Sequence, residues 1–157
     1  MASRKIRKRV CYLAGPMEFT TEEQASGWRV RVAEALDKLG VHSIDPVKEE
    51  FRISPIPASQ MSLLKEMDIN KYIEIMRDKI VPMDIGFVEQ CTDLVVKHCG
   101  ERTAGTAGEM TYARVLGKPV YLIAGVPLEK IPGWVLGCAT HIFESEETFL
   151  DFFAGTI

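Results

Sequence analysis

The chain has 157 residues, 46% of them hydrophobic and 26% charged, the balance of an ordinary globular domain rather than a disordered tail, a collagen-like fibre or a disulfide mini-protein. Acids outnumber bases by 22 to 19, for a formal net charge of −3, which argues against a surface built for a nucleic-acid polymer or anionic lipid. No apolar run approaches the ~18–20 residues of a membrane span, so a small molecule is the expected partner.

Val10-Cys11-Tyr12-Leu13-Ala14 is an apolar run closed by Gly15-Pro16 and reads as a buried first strand. The basic residues 1–9 ahead of it lack the apolar stretch of a secretory signal and read as a solvated lead-in, possible disorder included. Thr20-Thr21-Glu22-Glu23 offers an N-cap and first-turn acids, and Trp28, Val32, Ala35, Leu36 and Leu39 carry a helix to Gly40. Val41-His42-Ser43-Ile44 is a second strand cut by Asp45-Pro46, and the proline-bearing stretch from Phe51 to Ala58 reads as a loop. From Met61 to Ile80 the spacing of Ile69, Ile73, Met76 and Ile80 predicts one amphipathic helix ended by Pro82, its methionines serving as core or interface filler. A short helix follows from near Pro82 through Phe87 and Val88 to Cys91. Asp93-Leu94-Val95-Val96 is a third strand, with Asp93 as its turn residue. Gly100 to Gly108 is a glycine-rich loop, and Glu109 to Leu116 a helix stopped by Gly117. Pro119–Ile123 is a fourth strand, Thr140–Phe143 a weaker fifth, and Glu146–Phe153 a last helix.

Strands that are apolar throughout, alternating with helices, imply a parallel sheet covered on both faces. The expected fold is a single doubly wound α/β domain over residues 1–157, with about five strands in a flavodoxin- or Rossmann-like arrangement. Such folds bind ligands outside the carboxyl ends of the strands, so the loops after Ala14 and after His98 are where chemistry is expected.

Cys11, Cys91, Cys99 and Cys138 form no C-x-x-C pair and no zinc spacing with His42, His98 or His141, so reduced, mostly buried thiols in a cytoplasmic protein are expected. The segment Thr103-Ala104-Gly105-Thr106-Ala107-Gly108-Glu109 follows a strand and opens a helix. It is not a Walker loop, because Thr106 stands where the phosphate-binding lysine belongs, and it is not a G-x-G-x-x-G dinucleotide loop. What remains is a carboxylate at a helix start beside small residues that let a ligand approach. The helix dipole there predicts an ionised Glu109, suited to a nucleophile, against the plainer role of a first-turn acid. Tyr12 and Asp84 taken alone read as a core aromatic and a helix cap.

Tyr12-Leu-Ala-Gly-Pro16, Ile80-Val81-x-x-Asp84, Asp93-Leu-Val-Val, Gly105-Thr-Ala-Gly-Glu109, Ala113 and Gly117-Lys-Pro-Val occur in this order. Together they resemble the nucleoside 2-deoxyribosyltransferase superfamily, from about Val10 to Ile123. The resemblance implies that Glu109 attacks the anomeric carbon of a nucleoside, that Tyr12 holds this nucleophile, and that Asp84 handles the leaving base. It places Gly15, Pro16, Met17, Thr103, Gly105, Thr106 and Gly108 around the substrate, and implies no metal or organic cofactor.

Thr103 stands where the transferases carry an aspartate for the sugar 5′-hydroxyl; related N-glycosidases of nucleoside 5′-monophosphates carry a serine there. A hydroxyl tolerates a phosphate that a carboxylate would repel, and Arg102 is adjacent. The leading expectation is transfer of a deoxyribosyl group from a 2′-deoxynucleoside, or its 5′-monophosphate, to another free nucleobase. Hydrolysis of a nucleoside 5′-monophosphate is the alternative, and a non-catalytic nucleotide sensor a further one. Family members complete each site with an asparagine from a neighbouring subunit, with no clear counterpart around Lys130–Trp134. A homo-oligomer is expected on that ground, and from Met61, Met67, Met76, Met83, Trp134 and the Phe149–Phe153 cluster.

Overall fold

Five short parallel strands carry the fold of the chain, whose computed structural model describes residues 8–17, 21, 23–53, 56 and 58–157. They are β1 (Val10–Ala14), β2 (His42–Ile44), β3 (Asp93–His98), β4 (Val120–Ala124) and β5 (His141–Phe143), in the order β2-β1-β3-β4-β5. Every pairing is parallel, with Tyr12 opposite Ile44 on one side and Leu94 on the other. This is the doubly wound arrangement that the apolar strands predict. Its order reverses between β1 and β3, and in such sheets the crevice at that reversal is the ligand site.

The helices are α1 (Trp28–Lys38), α2 (Pro46–Ile53), α3 (Ala58–Met67), α4 (Ile69–Ile75), α5 (Val81–Gln90), α6 (Ala104–Val115), α7 (Gly133–Cys138) and α8 (Glu146–Ala154). Alternation along each strand divides the core in two. Tyr12, Ala14, Leu94 and Val96 face α5, α6 and α7 through Val88, Met110, Ala113 and Val135. Cys11, Leu13, Val95 and Tyr121 face α1 and α8 through Trp28, Val32, Leu36, Phe149 and Phe153. Phe149 and Phe153 therefore close the chain's own core, while Phe152 is 42% exposed.

Several local expectations are corrected. Asp45-Pro46 ends β2 as expected but also opens α2, a helix the sequence reading lacks: the Asp45 carboxylate accepts from the Val47 N–H at 3.0 Å, and a proline in the first helical position loses no hydrogen bond. The stretch from Phe51 to Ala58 is thus helical at both ends, through Ile53 and from Ala58. The helix expected over Met61–Ile80 breaks at Asp68, which caps α4 by accepting from the Lys71 N–H. It then runs on through a π-helical turn, Met76–Ile80, straight into α5, where Pro82 sits in the first turn and is tolerated. Asp93 is no turn residue: it is buried at the start of β3, paired with Arg9 at 2.7 Å, and Arg9 also lies 4.1 Å over the Phe153 ring. The end of the basic lead-in is therefore docked. A short 3₁₀ turn at Leu128–Lys130 and α7 are additional elements that the sequence reading passes over.

The expected cap at Thr20 and first-turn Glu22, the basic residues 4–7, and Ser54, Pro55 and Pro57 of the expected loop lie outside the described residues. Thr21 is described and forms a reciprocal cap with Gln24, each backbone N–H bonded to the other's side chain.

Candidate active site

The crevice between β1 and β3 collects Tyr12, Asp84 and Glu109 from three separate elements. Tyr12 is fixed by the pleat: it shares its face of β1 with Ala14, is 1% exposed, and packs against Phe87 of α5 with ring centroids 5.5 Å apart. Asp84 lies in the first turn of α5. It caps nothing, since the preceding π-helical turn leaves no free helix end there. Glu109 lies on α6, which begins at Ala104, so the glycine-rich segment forms the first helical turns instead of a loop. Its glycines disfavour a helix by propensity, and the packing of Thr106, Met110 and Ala113 against the sheet overrides that preference.

This placement changes the chemistry expected of Glu109. It stands in the second turn, beyond the strongest reach of the dipole, and burial drives its pKa from 4.5 up to about 8, with repulsion from Asp84 adding to the rise. Burial likewise raises Asp84 to about 6. The expectation of a permanently ionised Glu109 is therefore overturned by desolvation. The Tyr12 hydroxyl interacts with both carboxyl groups and lowers the pKa of each, while its own is pushed well above 10, first by burial and then by Glu109 and Asp84. Asp84 Oδ1 and Glu109 Oε2 are shut off from solvent and find no hydrogen-bond partner among the described residues. Two such buried acceptors are each left to hold a proton or to await a donor from a ligand.

Two further charged groups enter that sequence reasoning missed. Glu50 of α2 feels repulsion from Asp84, and burial raises it to about 7. Arg29 of α1 is fully buried, and its positive field lowers the pKa of Tyr12, Glu50, Asp84 and Glu109 alike. A signal for Arg29 exists in the sequence: it occupies the apolar stripe of its helix, three residues before Val32 and seven before Leu36. Glu50 has none, because Asp45-Pro46 reads as the end of β2 and not as the start of a helix.

The remaining expected residues are dispersed around this centre. Gly15 and Pro16 leave β1 at the crevice; Pro16 is buried, and Met17 is half-buried. A side chain at Gly15 would lie 2.9 Å from the Lys97 carbonyl, so the close approach of two backbones requires glycine. Thr106 is buried, with its hydroxyl 3.3 Å from that of Thr103. Gly105 and Gly108 face open space, and a Cβ at either would meet nothing within 4 Å. Thr103, the residue before α6, borders a groove of about 700 Å³ with Arg102, Lys130 and the 66% exposed Trp134. Tyr12, Asp84 and Glu109 do not line that groove. Among the described residues, no group of three His, Cys, Asp or Glu side chains is arranged to hold a metal ion, and no helix is long and apolar enough to cross a membrane.

No family model matches the sequence, and no curated protein does. Solved structures do match. A 2-deoxyribosyltransferase from the psychrotolerant bacterium Bacillus psychrosaccharolyticus superposes with a TM-score of 0.65 at 19% identity, covering 90% of each chain. The CMP N-glycosidase BcmB of Clostridium botulinum superposes with a TM-score of 0.59 at 15% identity, covering 95% of this chain and all of that one. Across nearly its whole length, the chain has the fold shared by these two solved structures.

Proposed function

We propose that the protein is an enzyme that cleaves the N-glycosidic bond of a 2′-deoxynucleoside, or of its 5′-monophosphate, and passes the sugar to another nucleobase. The observation that carries this reading is the convergence of Asp84 and Glu109 on Tyr12, each carboxyl group with a buried oxygen that lacks a partner. Likeness of fold to a 2-deoxyribosyltransferase and a CMP N-glycosidase supports it.

The chemistry follows from what the pair holds. With both acids raised by burial, Glu109 further than Asp84, the pair carries a proton near neutrality that rests on Glu109 in the free protein. The reaction needs that proton to pass to Asp84 as substrate binds, leaving Glu109 ionised. As the glycosidic bond breaks, its electrons leave with the base, and Asp84 supplies the proton to the base nitrogen. The sugar becomes oxocarbenium-like, and the Glu109 carboxylate stabilises it, then bonds to its anomeric carbon. Tyr12 orients that carboxylate. A second base then attacks the same carbon, returns a proton to Asp84 and releases Glu109. Water in place of the base makes the reaction a hydrolysis.

Hydrolysis of a nucleoside 5′-monophosphate is the second reading, supported by Thr103, Arg102 and Lys130 on one groove, where hydroxyl and cationic groups suit a phosphate. The protein acts as one domain and as a homo-oligomer, supported by Leu63, Met67, Ile69 and Ile73, apolar residues that α3 and α4 leave exposed. Its four free cysteines suit a reducing, cytoplasmic compartment.

The deciding experiment incubates the protein with each deoxynucleoside and each 5′-monophosphate, with and without a second free base, and separates products by chromatography. New nucleoside that appears only with added base supports transfer. Free base and sugar phosphate from a monophosphate support hydrolysis. Binding without product rejects the enzyme in favour of a sensor.

A further inference from the structure

We propose that Arg29 is a positioning residue of this centre: a fixed internal cation that balances the carboxyl cluster while its guanidinium braces the end of β1 against α1. The inference rests on the reading of Tyr12, Asp84 and Glu109 as the reactive centre.

The geometry is that of a built-in support. Arg29 is fully buried, although it lies on α1 in contact with the opposite face of the sheet from Tyr12. Its Nε donates to the Leu13 carbonyl at 2.9 Å and one Nη to the Gly15 carbonyl at 2.9 Å; the other Nη donates to the Ala25 carbonyl. The plane lies 4.9 Å over the Trp28 ring. All these partners are neutral, and no carboxylate lies within ion-pair distance of the guanidinium among the described residues. A buried cation without a touching counter-ion is costly unless the surrounding field repays it.

That field comes from acids on every neighbouring element. Asp45 at the start of α2, Glu50 of α2, Asp84 of α5 and Glu109 of α6 all interact electrostatically with Arg29. For Tyr12, Glu50, Asp84 and Glu109 it is the cation that opposes their rise. Burial favours the neutral form of both acids of the reactive pair. The positive field of Arg29 lowers the pKa of both, so that one of the pair can ionise, as the reaction needs. Arginine suits the task because three donors in one rigid plane reach three carbonyls at once, and the group stays charged when buried; a lysine supplies the charge without the brace.

The test compares Arg29→Met and Arg29→Lys with the wild type, without substrate and then with it. Thermal stability is measured at pH 5 and pH 8, and the carboxyl groups of Asp84 and Glu109 are titrated by carbon-detected NMR. In Arg29→Met the stability deficit should widen from pH 5 to pH 8, and the Glu109 midpoint should rise by about one pH unit or more. In Arg29→Lys the midpoint should stay near the wild-type value, while kcat/KM falls because the β1 carbonyls lose their brace. A deficit in Arg29→Met equal at the two pH values, loss of folding at both, or an unmoved Glu109 midpoint would overturn the proposal. If the stabilities and titrations shift as expected while wild-type protein turns over no nucleoside or nucleotide, the reaction assigned above fails and the role of Arg29 stands.

Discussion

At the scale of single residues, Glu109 carries two predictions in one side chain. As the proposed nucleophile, its replacement in Glu109→Ala should lower turnover on the order of 10³-fold or more while the protein stays folded; near-normal turnover, read by product chromatography, would reject that role. Its raised pKa gives a sign that stability measurements can check. Between its ordinary value of 4.5 and about 8, the folded protein holds a proton that the unfolded chain has released, so stability falls as pH rises through that window. Glu109→Gln removes the burden. It should be near wild type in melting temperature at pH 4.5, and more stable by ~1–3 kcal/mol at pH 8.5, since each pKa unit is worth about 1.4 kcal/mol. Melting curves at the two pH values decide, and a variant no more stable at pH 8.5 would mean the carboxyl group is better solvated than its burial indicates. Thr103 carries a separate expectation. Thr103→Asp should weaken use of the 5′-monophosphate at least ~10-fold and spare the free nucleoside, because a carboxylate repels phosphate and accepts from a hydroxyl. Steady-state kinetics on the two substrates compare them, and equal losses would remove Thr103 from the 5′ position.

Among the elements, α5 matters most, because it holds Asp84 in the crevice and its C-terminal end is tied down from a distance. The Lys118 ammonium donates to the carbonyls of Val88, Glu89 and Cys91 at 2.6–2.7 Å, a charged cap on the last turn of α5 supplied by the turn before β4. Gly117, with φ +72°, makes that turn possible. Lys118→Met should cost about 1–3 kcal/mol, the range for hydrogen bonds to a charged group, and should speed hydrogen exchange at the end of α5 ahead of the sheet. Uniform destabilisation without local exchange would show that the cap serves the whole fold instead. The Gly117-Lys-Pro stretch was legible in the sequence as part of a resemblance, but its purpose was not: three carbonyls some thirty residues upstream have no sequence signature. The opposite holds for α6, where two glycines within five residues read as loop and only packing against the sheet makes them helix.

For the molecule as a whole, the exposed apolar residues of α3 to α5 carry the prediction of assembly. Met67 is 76% exposed, Leu63 54%, Ile69 49%, Ile73 47% and Ile85 44%, a concentration of large exposed apolar side chains on three successive helices. A homo-oligomer that buries it should appear in light scattering at micromolar concentration, and Ile73→Glu should dissociate it with little loss in monomer stability. A wild-type monomer that is fully active would reject the assembly and leave the site to be completed within one chain.

The alternation of apolar runs with amphipathic stretches determined the strands and the main helices, because burial on both faces of a parallel sheet leaves no other pattern for β1, β3 and β4. Tyr12, Asp84 and Glu109 stood out only through the ordered motifs that carry the family resemblance, since each alone reads as a core aromatic, a helix cap or a first-turn acid. Tertiary structure alone decided their protonation. The spacing of residues along a chain says nothing of desolvation, and it was the convergence of α2, α5 and α6 on one crevice that turned an expected anion into an acid. It also brought in Arg29, a cation that reaches past the end of β1 to a cluster of acids spread from residue 45 to residue 109. Charges interact through space, and only the fold sets those distances.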